Sequence, residues 1–428
     1  MTPPIALSQA SERTSNPAIS TLMALALARP ELISLAAGFV DRPTLPIEDV
    51  EAIVKGLAAA PTEGQRALQY GTTAGDVGLR NQVLRLVERS EGLPPGELDE
   101  FLPRTVITTG SQQLLYLVCE ALLDPGDIVL VESPTYFVFL GVLESRGARV
   151  VGVETDEGGL RLDALDAAFE RLRDEGRLGR VKLVYTVSEH SNPSGISLAE
   201  DRRGAMVEAV KRWSGESRRI FILEDAAYRG VSFEGREPPS VWSHDLGGET
   251  VIHARTFSKT FSPGLKTGYG ILPADLVAPV LRLKGNHDFG SSNFNAVLLE
   301  RVLASGTYQA HVARLVDRYR TKRDALLDAL ETHLGSVEGV SWTRPKGGIY
   351  VWVRFPEGLD AGPDGPLFAR CVDEGVIYVP GEFAFAGGPG GAPRNHARLC
   401  YGVASEADLF EGVRRLAAAL AGCLDPVS

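Results

Sequence analysis

The chain has 428 residues, of which 44% are hydrophobic, and a formal net charge of -11. This length is enough for a large core and predicts two domains rather than one. The negative charge is unfavourable for binding nucleic acid, and no apolar run approaches the length of a membrane span.

The sequence predicts neither a metal centre nor an export signal. Its cysteines are widely spaced and form no CxxC pair or Cys/His cluster, which argues against a metal site or a disulfide framework. The apolar stretch "TLMALALARP" at 21–30 is similar to a signal-peptide core, but Glu12 and Arg13 before it give no net positive charge. Pro17 and Pro30 bracket it as a short amphipathic helix, and a cytoplasmic location is predicted.

From about residue 70 to residue 295, short apolar runs alternate with helical patterns. The runs "RTVITTG", "DIVLVESP", "VKLVYTV", "RIFILED" and "VIHARTF" predict strands, and "SQQLLYLVCEALL" and "TYFVFLGVLESRG" predict helices between them. Apolar runs without alternation are typical of strands buried on both faces. Strands that alternate with helices predict a parallel sheet with right-handed crossovers, and hence an α/β domain.

After Ser291 the pattern changes to long helices and then to short strands. The segment "YQAHVARLVDRYRTKRDALLDALETHL" predicts a long helix that bridges two domains. The runs "VSWTRPKGGIYVWVRF", "GVIYVPG" and "ARLCYGVA" predict strands of a smaller α+β unit that the helix "EADLFEGVRRLAAALAG" closes. We therefore predict an N-terminal arm over 1–45 that is part of the small domain, a large domain over 46–295, and an interdomain helix with the small domain over 296–428.

Polar side chains follow the predicted strands of the large domain, where open α/β sheets bind ligands. Gly110, Ser111 and Gln112 stand where a strand meets a helix, and free backbone N–H groups at such a junction form an anion site. The ends of the next strands supply further groups: Tyr136 in "ESPTY", Asn192 in "SEHSNPSG", Asp225 and Tyr228 in "LEDAAY", and Lys259 in "TFSK".

These groups together predict a binding site for a phosphorylated aromatic cofactor. A lysine that can lose its proton forms a Schiff base with an aldehyde. A carboxylate keeps a pyridine nitrogen protonated, so that the ring acts as an electron sink. The combination points to pyridoxal 5′-phosphate.

The sequence resembles the fold-type I aminotransferases of class I/II, particularly the branch with 2-aminoadipate and kynurenine aminotransferases. The resemblance runs from about Asn16 to about Ala419. It rests on the joint order of "LQYGTTAGDVGLR", "ITTGSQQLL", "VESPTY", "NPSG", "EDAAY", "TFSKTFSPGLKTGY", "PKGGIYVWV" and "ARLCYG". It implies a large domain with a mostly parallel seven-stranded sheet flanked by helices, a smaller α+β domain, and a homodimer with shared active sites.

The resemblance also implies a role for each cofactor-binding residue. Lys259 is similar to the lysine that forms the Schiff base (the internal aldimine) and later moves the proton, and Asp225 to the partner of the pyridine nitrogen. Tyr228 and Asn192 resemble the pair that hydrogen-bonds the phenolic oxygen of the ring, and Tyr136 the aromatic that stacks on its face. The residues at the family's phosphate positions are Gly110, Ser111, Gln112, Thr256, Ser258 and Lys266.

Further roles concern the substrate and the dimer. Arg398 resembles the arginine that clamps the substrate α-carboxylate, which suits a bidentate guanidinium. Asn192 and Gly38 are similar to residues near that carboxylate. Tyr70 resembles a tyrosine that one subunit lends to the phosphate site of its partner.

The sequence departs from the family at three places. Lys266 stands where an arginine is common, which keeps the charge but loses the bidentate fork. Ser20 falls where relatives that act on acidic substrates have an arginine, so we predict that the donor is not dicarboxylic. Glu189 and His190 in "SEHSNPSG" replace the usual context of the Asn-Pro pair and are expected to bring polar character to the substrate side, and therefore to favour a basic or polar amino acid.

The resemblance implies an enzyme that moves the α-amino group of an amino acid to a 2-oxo acid. An alternative is a specialised biosynthetic reaction on the same scaffold: elimination, replacement, cyclisation or oxidation. A more remote alternative is a cofactor-binding sensor domain, which would need a preceding DNA-binding segment that this sequence does not show. His253 stands near the predicted site, but a histidine at a strand end is more often structural.

Overall fold

A computed structural model describes residues 5–215, 218–386 and 391–424 of the chain. Some of its helices are closed by capping residues. At α5, for example, the Asp76 side chain accepts a hydrogen bond from the N–H of Leu79, and Gly92 ends the helix with a φ of 71°. Among the described residues, no helix combines the length and apolar character that crossing a membrane requires.

The described α-helices are α1 (Gln9–Arg13), α2 (Ala18–Ala28), α3 (Ile47–Ala59), α4 (Pro61–Leu68), α5 (Val77–Glu91), α6 (Gly110–Leu122), α7 (Phe137–Arg146), α8 (Leu162–Asp174), α9 (Glu200–Trp213), α10 (Ala274–His287), α11 (Asn293–Ala304), α12 (Thr307–Leu334), α13 (Pro366–Asp373) and α14 (Glu406–Leu424). The strands are β1 (Ile33–Ser34), β2 (Thr105–Thr108), β3 (Ile128–Ser133), β4 (Arg149–Asp156), β5 (Gly159–Leu160), β6 (Val181–Thr186), β7 (Phe221–Asp225), β8 (Val251–Thr256), β9 (Gly268–Ile271), β10 (Ser341–Trp342), β11 (Tyr350–Arg354), β12 (Val376–Ile377), β13 (Val379–Pro380) and β14 (His396–Cys400).

The large sheet has the strand order β2-β9-β8-β7-β6-β3-β4-β5. Neighbours from β8 through β4 are parallel, whereas β9 is antiparallel to both β2 and β8. The mostly parallel sheet of the prediction is confirmed. Its count is eight within the described residues rather than seven, because the two-residue β5 turns back against the end of β4.

Two apolar layers cover the large sheet. The central strands β7 and β8 are buried along their whole length, and β6 at every position except Lys182, as a parallel sheet covered on both faces requires. On one face α6 packs against α7 and α10, and on the other α8 packs against α9 and α11 against α5. Helices therefore fill both faces, and the carboxyl edge of the parallel strands stays open for polar side chains.

A second, antiparallel sheet has the order β10-β11-β14-β13, and its buried side chains share one apolar cluster with those of α12 and α14. The 28 residues of α12 span about 42 Å and connect the two sheets. Near the N-terminus, β1 pairs in parallel with β12 in a separate two-stranded sheet, and β12 is followed one residue later by β13 of the smaller sheet. The domain boundaries at 45 and 295 stay predictions.

Candidate active site

A cavity of about 410 Å³ lies at the carboxyl edge of the parallel strands. The predicted site residues of the cavity wall come from both sheets and from the segments after β2, β3, β6, β7 and β8. They are Gly38, Gly110, Ser111, Gln112, Tyr136, Asn192, Asp225, Tyr228, Thr256, Ser258, Lys259, Lys266 and Arg398. Residues that are far apart in the sequence thus face one space.

Lys259 follows β8 and lies on the cavity wall, where its Nζ donates a hydrogen bond to the Gly38 carbonyl at 2.6 Å. Burial lowers the pKa of this lysine to about 8, and the positive charges of Arg398 and Lys266 act in the same direction. An amine with this pKa has a minor but substantial neutral fraction near physiological pH, and the neutral form is the one that acts as a nucleophile or a base.

Asp225 ends β7 and is buried, with 3% of its surface exposed. Its Oδ2 accepts a hydrogen bond from the Tyr185 hydroxyl at 2.9 Å, while its Oδ1 has no hydrogen-bond partner among the described residues. Burial raises the pKa of Asp225 to about 6, and the Tyr185 hydrogen bond and the nearby Ala227 N–H oppose that rise. A buried carboxylate oxygen without a partner is costly unless a ligand supplies a donor.

The start of α6 and the loop after β8 form a cradle for an anion. Gly110 has a φ of 70°, and Gly268 lies so close that a Cβ there would come within 2.6 Å of the Ser111 nitrogen. The Thr256 hydroxyl donates to the Ser258 Oγ at 2.8 Å, and Lys266 adds a positive charge at the rim. Backbone N–H groups, hydroxyls and one ammonium suit a phosphate group.

Arg398 enters the cavity from β14 of the smaller sheet. Its guanidinium donates to Asn192 Oδ1 at 2.9 Å and to the Ala36 carbonyl at 2.7 Å, and it lies 4.2 Å from the Tyr350 ring centroid. Only 2% of the residue is exposed, and its Nε has no partner among the described residues. The arrangement offers a fixed cation to a small carboxylate.

Two predicted aromatic residues also face the cavity. Tyr136 directly precedes α7, and burial raises its pKa. The Tyr228 ring packs edge-on against the Tyr350 ring at 5.8 Å between centroids, and burial raises the pKa of its phenol well above the ordinary value. Both phenols are therefore neutral donors at physiological pH, and their rings form part of the cavity wall.

Tyr70 is not brought to this cavity within one chain. Its surface is 84% exposed, and its ring packs edge-on against Phe289 at 5.9 Å. Ser20 is also exposed and outside the cavity wall, although Ile19 and Met23 of the same helix line it.

The expectation that Glu189 and His190 face the substrate side was wrong. Glu189 is buried beneath the sheet edge, and its Oε1 lies 2.8 Å from Arg203 and 2.7 Å from Arg229. Burial alone would raise the pKa of Glu189, but the two guanidiniums outweigh it and hold this pKa well below its usual range. The positive φ of His190 turns its backbone, and its Nε2 lies 2.8 Å from the Ser232 hydroxyl.

His253 is likewise outside the cavity wall. It is buried, and its Nδ1 lies 2.9 Å from Glu224 of the neighbouring strand β7. Its position agrees with the structural role that is usual for a histidine in a strand.

Sequence reasoning missed three contributors to the site. Tyr350 packs against Arg398 and Tyr228, Phe137 lies below the Arg398 guanidinium at 5.4 Å, and Tyr185 holds Asp225. Tyr350 stands in the motif "PKGGIYVWV", which contributes to the family resemblance, so this motif could have pointed to Tyr350 as a site residue. Tyr185 precedes the strand end by one residue, and only the pairing of β6 with β7 reveals its partner.

Comparisons with known proteins extend this description. The family model for aminotransferase class I and II matches residues 30–416. Aromatic-amino-acid aminotransferase 1 of Thermococcus litoralis is 31% identical over 90% of this chain and 87% of its own. A crystal structure of Pyrococcus horikoshii kynurenine aminotransferase, in complex with PMP, is 29% identical with a TM-score of 0.88 and covers 98% of each chain. The structure of LysN, an alpha-aminoadipate aminotransferase of Thermus thermophilus, is 30% identical with a TM-score of 0.83 and also covers 98% of each chain.

Proposed function

Because the chain belongs to the aminotransferase class I and II family, we propose that it binds pyridoxal 5′-phosphate and moves the α-amino group of a non-dicarboxylic amino acid to a 2-oxo acid. One observation carries the proposal. A part-buried amine at Lys259, a buried carboxylate at Asp225 and a buried guanidinium at Arg398 face the same cavity.

The side chains of the cavity fit the cofactor. The unpartnered Oδ1 of Asp225 would accept from the ring nitrogen, and the start of α6 with Thr256, Ser258 and Lys266 would hold the phosphate. Tyr228 and Asn192 would donate to the phenolic oxygen, and Tyr136 would cover a face of the ring. When bound, the cofactor supplies a protonated pyridine ring that accepts electron density from the substrate Cα.

The chain's own residues would do the remaining work. Arg398 would hold the substrate α-carboxylate and so orient the Cα–H bond toward Lys259. Lys259 would bind the cofactor aldehyde at rest and, once displaced, take the proton from the substrate Cα. Its pKa of about 8 suits this exchange, since both the neutral and charged forms are populated near neutral pH.

The donor's side chain is constrained by the charges on the cavity wall. Within the described residues, the cations that line the cavity are Lys259, Lys266 and Arg398, and the proposal assigns each of them a role. The remaining wall includes the apolar side chains Ile19, Met23, Phe39, Phe137 and Val187. An apolar side chain is therefore favoured over a second carboxylate, which would be desolvated without a partner. The LysN structure in the comparison holds N-(5′-phosphopyridoxyl)-L-leucine, an adduct of an apolar amino acid.

A donor panel tests the proposal. Purified protein with the cofactor is mixed with leucine, methionine, phenylalanine, glutamate and 2-aminoadipate, each with and without a 2-oxo acid, and the products are identified by mass. We expect 2-oxo acids from the apolar donors, with kcat/KM at least about tenfold above that of the acidic donors. The best turnover with glutamate or 2-aminoadipate would contradict the donor assignment.

Lys259→Ala provides the catalytic control in the same panel. It should remove turnover and the visible absorbance of the covalently bound cofactor. Lys55→Ala, at a lysine paired with Glu51 on the surface, should change neither. Release of ammonia or of an eliminated side-chain group instead of an amino acid product would favour the specialised biosynthetic alternative, which the comparisons do not favour.

We also propose a homodimer in which Tyr70 of one subunit reaches the phosphate site of the other. The exposure of Tyr70 and Phe289, which is unusual for large aromatic side chains, supports this assembly. The cytoplasmic location predicted from the sequence is part of this proposal.

A further inference from the structure

Tyr185 is a buried phenol whose hydrogen bond goes to a functional group rather than to the backbone. It stands in β6 with none of its surface exposed, and its hydroxyl donates to Asp225 Oδ2 at 2.9 Å. Asp225 belongs to the neighbouring strand β7, whose residue Leu223 is the direct pairing partner of Tyr185. Side chains two residues apart share one face of a sheet, so the phenol reaches diagonally to the last residue of β7.

The ring of Tyr185 is held in place from the side of α7. It stacks on the Phe139 ring with 4.0 Å between centroids and an interplanar angle of 25°. Phe139 is itself fully buried. Stacking and complete burial leave the phenol little freedom, so that the position of its hydroxyl is determined by packing.

The two oxygens of Asp225 consequently have different surroundings. Oδ2 is occupied by the Tyr185 hydroxyl, whereas Oδ1 is buried and has no partner among the described residues. A fixed donor on one oxygen restricts rotation of the carboxylate about its last torsion, which is otherwise broad. A donor to a carboxylate also favours its ionised form.

We propose that Tyr185 is a positioning residue for Asp225: by holding Oδ2, it orients Oδ1 toward the ring nitrogen and keeps the carboxylate ionised. The proposal rests on the proposed function, because Asp225 needs a protonated ring nitrogen to act on. Tyr185 does not touch the cofactor in this scheme and acts only through Asp225. Neither the family resemblance nor the sequence pattern assigned it any role.

A pair of ligands separates this role from a merely structural one. Apoprotein is titrated with pyridoxal 5′-phosphate and with its 1-deaza analogue, in which a C–H group replaces the ring nitrogen. The ratio of the two dissociation constants measures what the ring nitrogen contributes to binding. We expect Tyr185→Phe to reduce this ratio by on the order of tenfold, because it removes one hydrogen bond to a charged group. The dissociation constant of the analogue should differ by less than about twofold between Tyr185→Phe and the wild-type chain, since the ring of residue 185 is retained.

Tyr378→Phe is the matched control. Tyr378 is also fully buried, and its hydroxyl donates at 3.0 Å to the Ala361 carbonyl, away from the cavity. This variant loses a buried phenol of the same kind and should leave the ratio unchanged. If the ratio of the dissociation constants is unchanged in Tyr185→Phe, the proposal is overturned, whether the binding of both ligands weakens or the binding of neither does.

A spectroscopic measurement gives a second readout. With ¹⁵N in the pyridine ring, the nitrogen chemical shift of the bound cofactor should move toward the unprotonated value in Tyr185→Phe and not in Tyr378→Phe.

If Tyr185→Phe does not fold, 3,5-difluorotyrosine at position 185 serves as a second variant. It keeps the ring and is a stronger hydrogen-bond donor, so it should increase the ratio of the two dissociation constants. A decrease or no change with this replacement would overturn the proposal. If the wild-type chain binds the two ligands with equal affinity, the proposed role of Asp225 is wrong. This result differs from the one that would overturn the role of Tyr185, so the two failures can be told apart.

Discussion

At the scale of single residues, Lys259 is where the electrostatics of the site can be measured directly. Desolvation disfavours its ammonium form, and neighbouring cations disfavour it further. With a pKa of about 8, the neutral fraction of Lys259 rises from about one tenth at pH 7 to about nine tenths at pH 9. An ordinary lysine with a pKa of about 10.4 is still mostly charged at pH 9.

The reactivity of this amine should follow that neutral fraction. We expect acetylation of Lys259 in the apoprotein to accelerate about tenfold between pH 7 and pH 9 and then to level off. Peptide mass spectrometry after brief exposure to a small neutral acylating reagent gives the rate at each pH. Free Nα-acetyl-lysine amide in the same tubes serves as the reference, and a profile parallel to that reference would contradict the lowered pKa of Lys259.

Residues at strand ends could be located from the sequence because each follows a short, mostly apolar run that predicts a strand. Asp225 comes at the end of "FILED", and Lys259 follows "VIHART" and two further residues. The partner of Tyr185 could not be located, since any buried phenol in a strand is compatible with ordinary core packing. Its acceptor depends on the register between β6 and β7, which apolar runs do not specify.

At the scale of elements, the loops that carry the site are supported from below by buried ion pairs. Glu189 in the segment after β6 contacts Arg203 of α9 and Arg229, which directly follows Tyr228. Arg229 also pairs with Glu91 at the end of α5 at 2.8 Å. All four side chains are at most 1% exposed, so the cluster connects two site loops to two helices away from water.

Breaking this cluster should be costly for the fold. Glu189→Gln leaves two buried guanidiniums with one anion fewer, and we expect a loss of about 3–5 kcal/mol in the free energy of unfolding. Urea denaturation of the apoprotein, followed by circular dichroism, measures the change. Glu51→Gln removes an exposed ion pair with Lys55 and should cost less than about 1 kcal/mol. Equal losses in the two variants would contradict the supporting role of Glu189.

The direction of the Glu189 side chain was beyond prediction for a physical reason. Val187 and Asn192 both line the cavity, yet the residues between them turn away through a backbone that includes a φ of 44° at His190. Such a turn is uncommon for a residue other than glycine, and sequence alone gives no sign of it. The strands β3, β6, β7 and β8, in contrast, follow from mostly apolar runs, as predicted.

At the scale of the whole molecule, the role that we propose for Tyr70 needs a second copy of the chain. Its ring is exposed at the surface beside Phe289 and outside the cavity that holds the other predicted site residues. No pattern in one sequence describes a surface that two copies share, so only the family resemblance suggested this role. The assembly is therefore a separate prediction from the fold.

Mixed dimers test that assembly. Tyr70→Ala should lower kcat/KM by about ten- to a hundredfold if it loses a phosphate contact, and Lys259→Ala should be inactive. A dimer with one chain of each variant contains one site with both native residues, so co-expression should restore about half of the activity per dimer. Differently tagged chains allow the mixed dimer to be isolated, and scattering gives its mass. Failure to regain activity in isolated mixed dimers would contradict a shared site.

The unpartnered buried atoms Asp225 Oδ1 and Arg398 Nε have a consequence for the protein in a cell. Neither atom has a hydrogen-bond partner among the described residues, so a bound ligand that supplies one adds stability that the folded apoprotein lacks. A ligand that binds only the folded chain shifts the equilibrium between folded and unfolded chains toward the folded form by mass action. Since unfolded chains are removed by proteases, the steady-state amount of this protein should follow the supply of vitamin B6.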